Sequence, residues 1–555
     1  MIKGFKKMAL ATLLAAPIAL PSSPVALAQN TDKPLLLVTI APLDRTLKDV
    51  AYISRAAGAA EVAGLMNGMV NVYTTGVDRS KPVGIAVNLD ANQQPTAVAF
   101  LPVSDHQAFL DQLKVFGELD DLGNGMYAMS VGPQSVFALH KSGWLYIAQS
   151  EEHLKNVPAD PSQLVGKLPE FYDLSFRIDL QSIPESMKDM LLGQIRAGFE
   201  QTMAAQAAQQ TPEQRAAAEA AGKQQIEQIE QLFRETKEAV IGWAVDSTNK
   251  QTHLDFGAQF VDGSNLEKQV AGLSNLKTQF PAFQSQEFPA NVRATSVVTP
   301  EDAKNVVTSM NLAWDGMFKQ LQSQGAKDSD MEQVKQLIKP IREVIESTIQ
   351  EGVLDGGAVL SVDGNLSVLG GGRVSDGKKL ADAVKAAYAK APKSDPNVPK
   401  IQFDAMNHKG VTFHTGSFKL PPQANDEAKK VLGEEVKFVI GTADKAAYFA
   451  MGKDASDRLK AFLDQNATAK VEKTTPMEMH VDLLPILTFV NNVQPNKAVQ
   501  DMTTKLQEFS SSDSVSVSSQ VLSKGLRYRF AIEEGVLRAI GEAAKSNSGN
   551  RGRGF

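Results

Sequence analysis

A chain of 555 residues, 43% hydrophobic and 22% charged, carries enough apolar material for packed interiors. That excludes a disordered or collagen-like bulk and, at this length, predicts about two to four folded units. No cysteine is present, so disulfides, thiolate metal sites, a cysteine nucleophile and a lipid-bearing cysteine are excluded, and the formal charge of −6 argues against a general nucleic-acid binder.

Residues 1–28 read as a secretory signal. Lys3, Lys6 and Lys7 form a basic start, and residues 8–20 an apolar core too short to span a bilayer comfortably. Pro21 and Pro24 interrupt the run. Ala26, Leu27 and Ala28 supply a small-x-small pattern, which places cleavage after Ala28 and the mature start at Gln29. Removal lowers the bases from 57 to 54 against 63 acids, a charge of −9. No later run reaches about 18 apolar residues, so no transmembrane segment is expected in the mature chain. An exported chain without cysteine fits a periplasmic or extracellular location.

The mature sequence resembles itself, and self-similarity is read before motifs. A strand at 36–40 opens the first half. The stretch GIAVNLD at 84–90 runs through a turn to 97–100 and then Val103, Ser104 and Asp105. Far downstream, GAVLSVD at 357–363 runs through a turn to 367–369 and then Val374, Ser375 and Asp376. Both are hairpins leading into a helix, at 107–115 and 378–388. The order continues. Residues 125–130 match 410–415, the hairpin 136–148 matches 438–450, and helices follow at 151–156 and 455–463. Residues 176–180 then match 479–483. The expected organisation is a half at 33–280, a second at 288–545 and a disordered Gly/Ser/Asn-rich tail at 546–555.

A weaker similarity divides each half again. Hairpins at 83–101, 240–260, 357–374 and 515–532 precede closing helices near Asp105, Ser264, Asp376 and Glu534, which describes four β-α-β-β-α units. Long helices are expected at 184–209 and 212–239, and again at 300–322 and 330–350. Thr299 and Pro300 make a good helix start. Ile226, Ile229, Leu232 and Phe233 form one apolar stripe, expected to pack in a core. Hairpins alternating with helices predict an α+β fold with antiparallel sheets and helices packed on one face. The halves then form either two sheets about a pseudo-twofold axis or one continuous sheet.

Chemical motifs are sparse. None of the seven histidines stands in a metal-binding spacing. His408 and His414 are six apart, about 20 Å along a strand, and the alignment sets His414 against Met129, a packing position. Residues 123–128 fit GxGxxA, but a strand follows where a dinucleotide site needs a helix, so a turn is expected. Ser375 and Lys378 fit SxxK without the accompanying motifs, so helix capping is expected. Asp328, Asp330 and Glu332 lack calcium-loop spacing. The most informative polar pair is Asp179 and Asp482, at the ends of matching strands. Each is expected to cap the following helix; alternatively the two face each other across the halves. No cofactor and no metal are expected.

The signal, the hairpin-helix repeats and the closing hairpin at 526–537 resemble those of uncharacterised exported bacterial proteins of similar size. The resemblance implies export and an α+β repeat fold and transfers no catalytic residue. The expected function is a non-enzymatic binding or scaffold protein of the cell envelope, taking an envelope partner or a small apolar ligand. The alternatives are a periplasmic hydrolase with a dispersed active site and a carrier of an apolar ligand between sheet and helices.

Overall fold

The computed structural model describes residues 33–115, 117–131, 134–207, 212–285, 287–323, 328–391, 398–420, 425–469, 473–508 and 512–551. The signal segment 1–28, with Ala28, lies outside them. Helices and antiparallel strands interleave along the chain, so the fold is α+β.

The strands in chain order are β1 (Leu36–Ile40), β2 (Val83–Leu89), β3 (Pro95–Pro102), β4 (Leu119–Gly123), β5 (Met126–Val131), β6 (Gln134–Lys141), β7 (Trp144–Ala148), β8 (Leu174–Asp179), β9 (Thr236–Asp246) and β10 (Gln251–Phe260). They continue with β11 (Ala290–Val297), β12 (Val353–Ser361), β13 (Ser367–Arg373), β14 (Lys400–His408), β15 (Val411–Lys419), β16 (Glu435–Thr442), β17 (Ala446–Met451), β18 (Met477–Asp482), β19 (Ser514–Leu522) and β20 (Gly525–Glu533).

The chain forms two compact units. The first takes residues up to Val50, Gly64–Pro184 and Val240–Ala244; the second takes Ala51–Ala63, Glu185–Ala239 and Val245 onward. In the first unit the pairing order is β4-β5-β6-β7-β3-β2-β1-β8. In the second it is β14-β15-β16-β17-β13-β12-β11-β18, continued by β19-β20-β10. The first eight places are the same, with every strand number raised by ten.

The registers agree as well. Leu36 lies opposite Val87 and Ile178, and Ala290 lies opposite Leu360 and Val481. The backbone N–H of Ala41 donates to the Asp173 carbonyl at 2.9 Å, and that of Thr295 to the Pro476 carbonyl at 2.8 Å.

Period-two alternation explains how the strands bury their side chains. In β7, Tyr146 joins Leu37, Phe100 and Leu154 in one apolar cluster, whereas its neighbour Leu145 joins Val103, Phe109 and Leu113 in another. In the second unit the helix Ala455–Thr468 contributes Leu459, Phe462 and Leu463 to a cluster with Phe283, Phe413 and Tyr448. Phe283 and Phe462 have ring centroids 4.5 Å apart. Full burial of one such side chain contributes roughly 1.5–3 kcal/mol.

The helix starts follow their caps. Asp105 accepts from the Ala108 N–H, Ser264 from Glu267 and Asp376 from Lys379, opening the helices His106–Leu113, Asn265–Gly272 and Gly377–Lys390. The Thr299 hydroxyl accepts from the Asp302 N–H and opens Pro300–Ser323. The helix Glu534–Arg551 runs into the segment 546–555 that composition marks as a tail.

One packing expectation fails. On the helix Pro212–Glu235, Ile229 and Leu232 are exposed, while Ile226 and Phe233 are only half-buried. The second unit sets this helix against Pro300–Ser323, where the Ser309 hydroxyl donates to Gln224 at 2.8 Å. That contact does not cover the stripe.

Candidate functional site

Asp179 and Asp482 occupy the same backbone position in their respective units. The Asp179 N–H donates to the Leu35 carbonyl at 2.9 Å, and the Asp482 N–H to the Pro289 carbonyl at 2.7 Å. Their side chains then part. Asp179 caps the short 3-10 turn Leu180–Ser182, accepting from the Gln181 N–H at 3.0 Å. Asp482 precedes the helix Leu483–Val493 but makes no side-chain cap bond; its Oδ1 lies 2.8 Å from His480 Nε2. Asp513 caps that helix instead, accepting from the Leu484 N–H at 2.7 Å. Burial, with the nearby Asp482 and Glu533 charges, raises the Asp513 carboxyl above its ordinary range. Capping thus holds for Asp179 and is corrected for Asp482. The two residues belong to different units.

The other motifs resolve into structure. Gly123, Asn124 and Gly125 all have positive φ and form the β4–β5 hairpin turn. Ser375 Oγ lies 2.6 Å from Ser347 Oγ and 3.1 Å from the Val344 carbonyl, so the hydroxyl is engaged on the helix Asp328–Gln350. His408 pairs with Asp464 at 2.9 Å. His414 is buried, accepts from the Asp404 N–H at 3.1 Å and lies 3.2 Å from Thr442 Oγ1; burial pushes its pKa down and favours the neutral ring. By ladder position its first-unit counterpart is Tyr127 rather than Met129: Tyr127 pairs with Ala138 where His414 pairs with Ile440. Among the described residues no group of three His, Asp or Glu is placed to hold a metal ion.

Among the described residues the second unit has an open cleft of about 590 Å³. Three neighbouring strands build one wall. Lys400 of β14 stands opposite Ser417 of β15, and Ser417 stands opposite Lys437 of β16. Adjacent strands are about 4.8 Å apart, so the backbones bearing the two lysines are about 10 Å apart with the Ser417 hydroxyl between them. Gly416 lets the Phe438 ring lie flat against the strand, because a Cβ there would come within 2.3 Å of that ring. Tyr388, near the end of Gly377–Lys390, closes another side; its hydroxyl accepts from the Ile401 N–H at 3.3 Å.

Lys453 stands at the cleft where the chain enters the helix Ala455–Thr468. Gly452 makes the turn with φ +137°, a conformation that side-chain-bearing residues rarely adopt. Among the described residues, Lys400, Lys437 and Lys453 make no ion pair. Of the lining acids, Asp457 is held by Lys460 at 3.2 Å, and Asp454 makes no cap bond to its helix. Three lysines and two aspartates line the cleft, and the Glu435 carboxylate reaches its Ser417, so what sets the cleft apart is the placing of the lysines and not a net charge.

Reading the sequence for motifs missed these lysines. They lie on separate elements, and the strand Lys400–His408 hides its alternation behind a register shift between Gln402 and Met406, where Asp404 has φ +53°. No helix of the described residues is long and apolar enough to cross a membrane. Comparison with protein-family models, with curated proteins and with solved structures finds no match to the chain.

Proposed function

We propose that the protein is exported to the bacterial cell envelope, periplasmic or extracellular, and acts there as a non-enzymatic binding protein. The observation that carries this reading is the cleft beside Lys400, Ser417 and Lys437. It has the volume of a small-molecule site, and its walls stand on paired strands rather than on loops. Its lysines and hydroxyls suit recognition of a polar ligand better than carriage of an apolar one. The export reading rests on the signal pattern ending at Ala28 and on the resemblance to exported hairpin-helix proteins. The scaffold is read as an internal duplication, supported by the common strand order and register of the two units.

A specific observation favours a second reading, a scaffold. On the helix Ala60–Tyr73, Leu65, Met66, Met69, Val72 and Tyr73 are all exposed large apolar residues at three- and four-residue spacing.

Native mass spectrometry of the protein from its own host's envelope fraction tests both, with Ser417→Trp to fill the cleft. The binding reading expects a mass starting at Gln29 and one small molecule per chain, lost in the variant. A mass that retains residues 1–28, or a bare chain bound to a second polypeptide in both forms, overturns it.

A further inference from the structure

We infer that the cleft of the second unit takes a compact ligand carrying at least two anionic groups, whether phosphate, sulfate or carboxylate. The inference deepens the binding-protein reading and rests on it.

The argument begins with the row Lys400–Ser417–Lys437, which places two ammonium groups on either side of one hydroxyl on the same strand face. Both ammonium groups are exposed and neither makes an ion pair among the described residues, the nearest carboxylate on the row being that of Glu435, which is bonded to Ser417. A ligand with an anionic group near each lysine gains a charge-assisted hydrogen bond from both, and the Ser417 hydroxyl can donate between them. Ser417 Oγ donates to Glu435 Oε1 at 2.7 Å, a bond the ligand has to replace. Lys453 supplies a third positive charge on a different element, so the cleft meets the ligand from two directions.

The first unit provides an internal comparison. Its strands carry the same ladder, and there the row reads Glu118–Ser130–Ser135: Ser130 pairs with Ser135, and its N–H donates to the Glu118 carbonyl. Lys453 follows Ala450 by three residues, and the residue that follows Ala148 by three is Glu151. The serine at the centre of the row is common to both units. The positive charge is confined to the second, so the ladder itself does not require it.

The test is calorimetry on the full mature chain with pyrophosphate and citrate as probes and glucose as the neutral control. One-to-one binding of either anion is expected. Lys400→Ala or Lys437→Ala should weaken it roughly tenfold, and a rise from about 50 to about 500 mM salt should weaken it similarly. Lys48→Ala, outside the cleft, should leave it unchanged. Circular dichroism of the variants checks that they fold. Anion binding indifferent to both cleft variants overturns the inference. So does a neutral molecule copurifying with the protein and expelled by Ser417→Trp, although that outcome leaves the binding-protein reading standing. No binding of either anion and no copurifying molecule removes both.

Discussion

Arg293 and Glu478 stand opposite each other on neighbouring antiparallel strands, the guanidinium wholly buried and 3.7 Å from the carboxylate. Arg293 also donates to Thr295 Oγ1 at 3.0 Å and to the Thr475 carbonyl at 3.2 Å. The first unit fills the same two ladder positions with Thr39 and Ser175. Arg293→Ala removes these hydrogen bonds and leaves a cavity where the buried side chain stood, and is expected to destabilise the second unit by about 2–4 kcal/mol. Arg293→Met together with Glu478→Leu is expected to cost less, because the methionine refills most of the buried volume that alanine leaves empty. Urea unfolding of the three proteins checks the order.

A pH dependence is expected from the first unit. Arg45 Nε lies 3.1 Å from the buried Asp173 carboxylate and 3.5 Å from Asp49. Burial, and then the Asp173 charge, push the Asp49 pKa up to about 6 against the pull of Arg45. A carboxyl whose pKa is higher folded than unfolded favours the fold when protonated. Its contribution is therefore present below about pH 4 and is lost as pH rises through 6. Asp49→Asn should raise stability at pH 7.5 by about 1 kcal/mol after allowance for solvent screening, and much less at pH 4. Thermal melts at the two pH values measure the difference. An equal shift at both removes the assignment.

Capping by Asp513 rather than Asp482 gives a paired comparison. Asp513→Ala removes the acceptor for the Leu484 N–H and should cost about 1–2 kcal/mol. Asp482→Ala removes only the half-exposed contact with His480 and should cost under about 1 kcal/mol. Denaturant midpoints that reverse this order would return the cap to Asp482.

Leu65→Lys with Met69→Lys places charge on the exposed face of Ala60–Tyr73. Both positions are exposed, so stability should change by less than about 0.5 kcal/mol. Retention on a hydrophobic-interaction column should fall. A large loss of stability would mean that this face is packed in the folded protein.

Hairpins and helix starts were legible in the sequence because each has a local cause. Alternation in GIAVNLD marks β2, and Asp105, Ser264 and Asp376 bond backbone groups three residues away. The matched positions of Val87 with Leu360 and of Ile178 with Val481 were legible for the same reason. The pairing of His414 with Met129 was not correct, because the alignment followed the turn glycines Gly125 and Gly410 whereas the ladder is set by the β5–β6 and β15–β16 pairings. The Lys400–Ser417–Lys437 row depends on two inter-strand registers and a bulge, which no local pattern specifies. The exchange of cap between Asp482 and Asp513 depends on a contact between residues 29 apart.

The strand order also sets a timetable for synthesis. β1 has its second neighbour only when Ile178 and the rest of β8 have been made, about 140 residues after Leu36. At about 5–20 residues per second, that edge stands open for roughly 7–30 s. β10 waits longer still, since Gln251 pairs with Glu533 close to the end of the described chain. Translation therefore leaves early strands with unsatisfied backbone groups until late ones emerge, a topology that folds slowly and offers its edges to other chains meanwhile.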